Sequence, residues 1–125
     1  MKYLTVMNPR IILGLYTFVL MAIVWSPVKA DGGKLLGLFL VSGILEKLLN
    51  LILFVPLPLL IREAFSRLSL VTLLYIGPVA TVTIEIVQRF IPGRVSDLSD
   101  IVMNTLGYWM ALFFSLRLRS KKQGQ

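Results

Sequence analysis

Four long stretches without a charged residue govern what this 125-residue chain can fold into. Ile11 to Val28 is 18 residues, Leu48 to Ile61 is 14, Leu68 to Ile84 is 17 and Ile101 to Leu116 is 16. A bilayer core of about 30 Å takes roughly 20 helical residues, with a range of about 17 to 25. The two shorter runs reach that length once Lys and Arg at their ends stretch toward the interface. The spacing predicts an all-α, polytopic membrane protein: a bundle of four transmembrane helices over 9–27, 46–63, 68–90 and 99–117. Composition agrees, with 57% hydrophobic and 15% charged residues, where a soluble domain has about a quarter charged. The chain reads as one transmembrane domain over 1–120 and a short polar C-terminal tail over 121–125.

Residues 35–45 form a further apolar segment, too short to cross alone. Gly32 and Gly33 mark a turn before it, and it reads as an interfacial or re-entrant piece. Pro56 and Pro58 in the second span, and Gly77 with Pro78 in the third, predict kinks. The first run also resembles a secretory signal, with Val28, Lys29 and Ala30 fitting a small-x-small site. Its apolar stretch exceeds the roughly 7 to 15 residues of a signal core, so it reads as a retained span.

Net charge is +7, from 13 Lys plus Arg and 6 Asp plus Glu. Four alternating spans divide these charges unevenly. Lys2, Arg10, Arg62, Arg67, Arg117, Arg119, Lys121 and Lys122 share one side with Glu63; the other side balances Lys29, Lys34, Lys47, Arg89 and Arg94 against five acids. The positive-inside rule then places both termini in the cytoplasm of a multi-pass protein of the cell membrane. The excess charge reports orientation, and no nucleic-acid partner is expected.

The absence of Cys and His removes disulfides, thiol nucleophiles, imidazole metal sites and a Ser-His-Asp relay. No metal and no cofactor is expected. What remains is a set of polar residues at the predicted outer ends of three spans. Asn50, Glu85 and Asn104 fall about 5 to 10 Å below the outer boundary at 1.5 Å per residue. Gln88 and Asp100 lie near them, and the third-to-fourth loop adds Arg89, Arg94 and Asp97. A carboxylate buried in hydrocarbon needs a partner or a role. One reading is a clamp in which Glu85 pairs with an arginine and the amides tie helices together. The other is a pocket open to the outer leaflet, with Arg89 and Arg94 gripping a phosphate or carboxylate and Glu85 or Asp100 as acid or base. On the fourth span Gly107, Ala111 and Ser115 make a small-residue stripe for close helix packing.

The ordered set Asn50, Phe54-Val55-Pro56, Glu85, Gln88, Pro92, Arg94, Asp97, Asp100, Asn104 and Gly107 resembles the VanZ-like family of small bacterial integral membrane proteins. Pro58 stands where members usually carry Gly. The resemblance implies a polytopic envelope protein, with a founding member linked to low-level resistance to the glycopeptide teicoplanin. Its polar positions fall on Asn50, Glu85, Gln88, Arg94, Asp97, Asp100, Asn104 and Gly107.

Three functions compete. The leading expectation is a binding role: an outer-leaflet pocket recognising an anionic lipid-linked envelope component, or the glycopeptide itself. An enzyme acting on an amphiphile through a Glu85 and Asp100 pair is the second. The third is a structural subunit that docks, on a second copy or another protein, through the stripe of the fourth span.

Overall fold

The computed structural model describes residues 7–26, 43–93 and 96–123. Every regular element in them is α-helical: α1 (Pro9–Val24), α2 (Gly43–Phe54), α3 (Pro56–Ala64), α4 (Leu70–Gln88) and α5 (Leu98–Gln123). Local chemistry sets the starts. Asn8 caps α1 by accepting the Arg10 N–H at 3.0 Å, with Pro9 at the first helical position, where a missing N–H is harmless. Ser69 caps α4 by accepting the Thr72 N–H at 3.1 Å.

Two of these helices are long and apolar enough to cross a membrane, Leu70–Gln88 and Leu98–Ser120. The other two expected spans differ from the sequence reading. Helix α1 stops at Val24 rather than 27 and has 16 residues, about 24 Å of helix, which falls short of a full hydrocarbon core. The expected span 46–63 is two helices with a break at Val55. Proline supplies the reason: Pro56 and Pro58 remove the N–H groups that the Ile52 and Phe54 carbonyls would accept. The Val55 N–H closes on Ile52 O at 3.2 Å instead, and Val55 keeps helical dihedrals, so α3 follows α2 without an intervening loop. Residues 35–42 of the expected interfacial segment lie outside the described residues, while 43–45 form the first turn of α2. Helix α5 continues to Gln123, so the first three residues of the expected tail are helical.

Helix α5 is the hub. It packs against α2, α3 and α4, and α1 lies against α3. The core is a line of Leu20, Phe54, Leu57, Ile84, Tyr108 and Leu112. The outward faces are apolar as well: Phe18, Val71, Tyr75, Val79, Phe113 and Phe114 are all exposed. A water-soluble helix presents polar residues there; a helix in lipid does not.

Proline also explains the α4–α5 contact. Helix α4 runs uninterrupted through Gly77 and Pro78, where a kink was expected. Pro78 cannot donate to the Leu74 carbonyl, and the Trp109 indole N–H from α5 does so at 2.9 Å. The neighbouring Leu73 carbonyl accepts the buried Tyr108 hydroxyl at 2.8 Å. Gly77 makes room for that ring, since a Cβ there would sit 2.4 Å from Tyr108 Cδ1. Aromatic donors thus satisfy backbone that lipid cannot.

Candidate functional site

The helix ends nearest Val24 and Gln88 enclose a cavity of about 470 Å³. Its polar wall is Asn50 from α2, Glu85 and Gln88 from α4, and Asp100 and Asn104 from α5, with Tyr16 of α1 beside Leu53. Three helices therefore bring five of the expected binding residues to one space. The remaining lining is apolar. Ile23 on α1 and Leu49 and Ile52 on α2 border the cavity, and each is also exposed on the outer surface of the bundle. Among the described residues the mouth therefore lies between α1 and α2 and is edged with aliphatic side chains.

Each polar group is held differently. Glu85 is 3% exposed; its Oε2 accepts the Asp97 backbone N–H at 3.2 Å, and the Ser96 hydroxyl is a second donor. Ser96 and Asp97, just before α5, supply both. Gln88 Nε2 donates to Val24 O at 2.8 Å, tying the last turn of α4 to the last turn of α1. The Tyr16 hydroxyl donates to the Leu53 carbonyl and ties α1 to α2 beside the cavity. Asn104 is 3% exposed, and its Oδ1 has no hydrogen-bond partner among the described residues.

The expected arginine grip is not built as the sequence reading had it. Arg89 is exposed, directs its Nε to the Ser96 hydroxyl at 3.5 Å and does not line the cavity. Arg94 lies outside the described residues. Asp97 contributes its backbone to Glu85, while its carboxylate turns to the start of α5 and accepts from the Ser99 N–H at 2.9 Å and the Ser99 hydroxyl at 2.6 Å. Those two bonds hold the Asp97 carboxyl below its usual range. The clamp reading also changes. Glu85 accepts from the Asp97 backbone and Ser96, and an ion pair among the described residues, Arg119 to Glu63 at 3.0 Å, is at the opposite end of the bundle.

The small stripe is occupied within the chain. A Cβ on Gly107 would stand 2.1 Å from Leu51 O, so the α2 and α5 backbones touch there. Ala111 is buried, and the Ser115 hydroxyl receives the Arg62 guanidinium of α3. Docking of another protein on this stripe would require α2 and α3 to leave it.

Tyr16, Ile23 and Leu49 were not singled out from sequence. A lone tyrosine within an apolar run carries no pattern, and the aliphatic edge of a cavity is indistinguishable in sequence from any lipid-facing surface.

The VanZ/LLP1 family model matches residues 11–119. The chain belongs to the VanZ/LLP1 family. The match spans all five helices of this VanZ/LLP1 member except the ends of α1 and α5, and it includes every residue of the cavity wall. No curated protein and no solved structure matches the chain.

Proposed function

We propose that this VanZ/LLP1 protein is a multi-pass protein of the cell membrane, with both termini cytoplasmic, that binds a lipid-linked envelope component in the cavity between α1, α2, α4 and α5. The carrying observation is the pairing of a five-residue polar wall with a mouth of Ile23, Leu49 and Ile52. Such a space takes a molecule with a polar head and an apolar tail: the head displaces water from amides and carboxylates, and the tail stays on the aliphatic edge. Arg119, Arg62, Arg10 and Glu63 gather at the other end of the bundle, which supports cytoplasmic termini and an outer-leaflet cavity. The glycopeptide that acts on lipid-linked envelope components is the alternative ligand, and sequestering either molecule would alter glycopeptide susceptibility.

The test is recovery of the protein from native membranes in polymer nanodiscs, with its lipids identified by mass spectrometry. Wild type should carry a lipid-linked envelope component above its bulk membrane level; Asp100→Leu and Ile52→Trp should lose it, and cells relying on either variant should change in teicoplanin susceptibility. An identical lipid complement in all three proteins would overturn the reading.

A further inference from the structure

The end of the bundle away from the cavity is basic, and one of its arginines is held in place. Arg10, in the first turn of α1, directs its Nε to the Ala64 carbonyl at 3.4 Å, and its guanidinium lies over the Phe65 ring, 5.4 Å from the centroid. Carbonyl and ring together fix the planar group against the last turn of α3. Those contacts commit the Nε and one face; the pair of terminal nitrogens is the fork that takes a phosphate bidentately. Residues 65–68 make a tight turn, closed by the Leu68 N–H on Phe65 O at 3.3 Å, so Arg67 stands on the same turn as the ring beneath Arg10. Next to this pair the surface is apolar, with Ile11, Phe65 and Leu70 exposed.

Countercharge at this end is scarce in the sequence itself. Residues 1–10, 62–69 and 115–125 hold eight Lys plus Arg and one acid, Glu63. That acid takes Arg119 at 3.0 Å. Basic residues beside a helix end attract the anionic lipids of the leaflet they face; two of them on one turn, one immobilised and both bordered by apolar side chains, make that attraction local.

We propose that Arg10 and Arg67 form a site for one anionic phospholipid of the leaflet at this end, the cytoplasmic one in the orientation given above, with the phosphate between the two guanidiniums and an acyl chain on Ile11, Phe65 and Leu70. The phosphate bridges α1 to the turn between α3 and α4, so the bound lipid also stabilises the fold. This site is separate from the cavity and does not depend on what the cavity binds.

Full-length protein is placed in nanodiscs of phosphatidylcholine with a minor share of phosphatidylglycerol, and the lipid it keeps on release is read by native mass spectrometry. Wild type should carry phosphatidylglycerol above its share of the disc. Arg67→Gln should cut that enrichment about fivefold, the scale of one basic residue at an anionic surface; Arg67 is exposed on the turn, so the variant spares the packing of the fold. Arg10→Lys keeps the charge but loses the fork, and should lower the enrichment as well. Arg117 is the control. It follows Ser115 by two positions, about 200° around α5, and so stands on the face turned away from α3; Arg117→Gln removes the same charge from the same end and should leave the enrichment unchanged. Equal losses from Arg67→Gln and Arg117→Gln would reduce the attraction to the general charge of this end and overturn the site, as would a wild type without enrichment. Loss of enrichment on Ile52→Trp would put the lipid in the cavity and overturn it likewise. Inorganic phosphate in large excess should not displace the lipid; displacement would show a site for free anions and overturn the lipid assignment.

Discussion

At single positions, two glycines and one aspartate respond to substitution in different ways. Gly107 and Gly14 are both helical glycines, yet a Cβ at Gly107 meets Leu51 O at 2.1 Å and one at Gly14 meets nothing within 4 Å. Gly107→Ala is therefore expected to force α2 off α5 and cost at least about 3 kcal/mol, at or beyond the upper end of ordinary overpacking. Gly14→Ala should be neutral or gain up to about 1 kcal/mol from helix propensity. Thermal unfolding of both variants in one detergent separates them. Asp97 gives a pH signature. Its folded pKa is depressed by the Ser99 N–H and hydroxyl, so its contribution is fully present above the unfolded value of about 3.9 and is lost as pH falls through the lower folded value. Asp97→Asn should flatten the pH dependence of the melting temperature below about pH 4. An unchanged slope would show that the carboxylate does not hold the start of α5.

At the level of elements, prolines decide where helices break and what repairs them. The pair at 56 and 58 predicted a disturbance in the second span, and the structure places it at Val55, where one helix ends and the next begins and the N–H closes on Ile52 O. Gly77 and Pro78 predicted a similar disturbance, and α4 continues regardless. The difference is not local. Trp109 lies 31 positions beyond Pro78 in the chain, and only the packing of α5 on α4 brings its indole to the vacated Leu74 carbonyl. Span length was legible for α4 and α5, where charges bound long apolar runs. It was misleading for α1, because the apolar run to Val28 does not register that the helix ends at Trp25. Trp109→Phe should cost about 0.5 to 1.5 kcal/mol for the lost bond. In a Pro78→Ala background, which restores the N–H for Leu74 O, the same substitution should cost clearly less. A double-mutant cycle of thermal midpoints measures that coupling, and zero coupling would separate the indole from the proline.

Across the whole molecule, the two ends of the bundle are chemically unlike, and much of that asymmetry was readable as a charge count. Counting 1.5 Å per residue along three predicted helices placed Asn50, Glu85 and Asn104 at one depth, and the cavity lined by all three lies at that level. The partners of these groups were not readable. The clamp reading pairs Glu85 with one of two arginines, Arg89 or Arg94, whereas its carboxylate is met by the Asp97 N–H and the Ser96 hydroxyl. The lateral mouth was invisible for a different reason: it depends on α1 leaning on α3 rather than α2, which no periodicity encodes. Orientation is open to direct test. Single cysteines replacing Asp31 and Asp97 should react with an impermeant maleimide in intact cells, and those replacing Ser66 and Lys121 only after lysis. The reverse pattern would invert the topology and put the cavity on the cytoplasmic side.

The occupancy of the cavity mouth is the central claim, and photocrosslinking reads it in living membranes. Benzoylphenylalanine at position 49 on α2, beside the mouth, should yield an adduct whose mass is that of a lipid-linked envelope component, and Asp100→Leu should remove it. The same probe at position 114, exposed on α5 and outside the cavity lining, should capture only bulk phospholipid. Identical phospholipid adducts at both positions, insensitive to Asp100→Leu, would contradict a binding cavity.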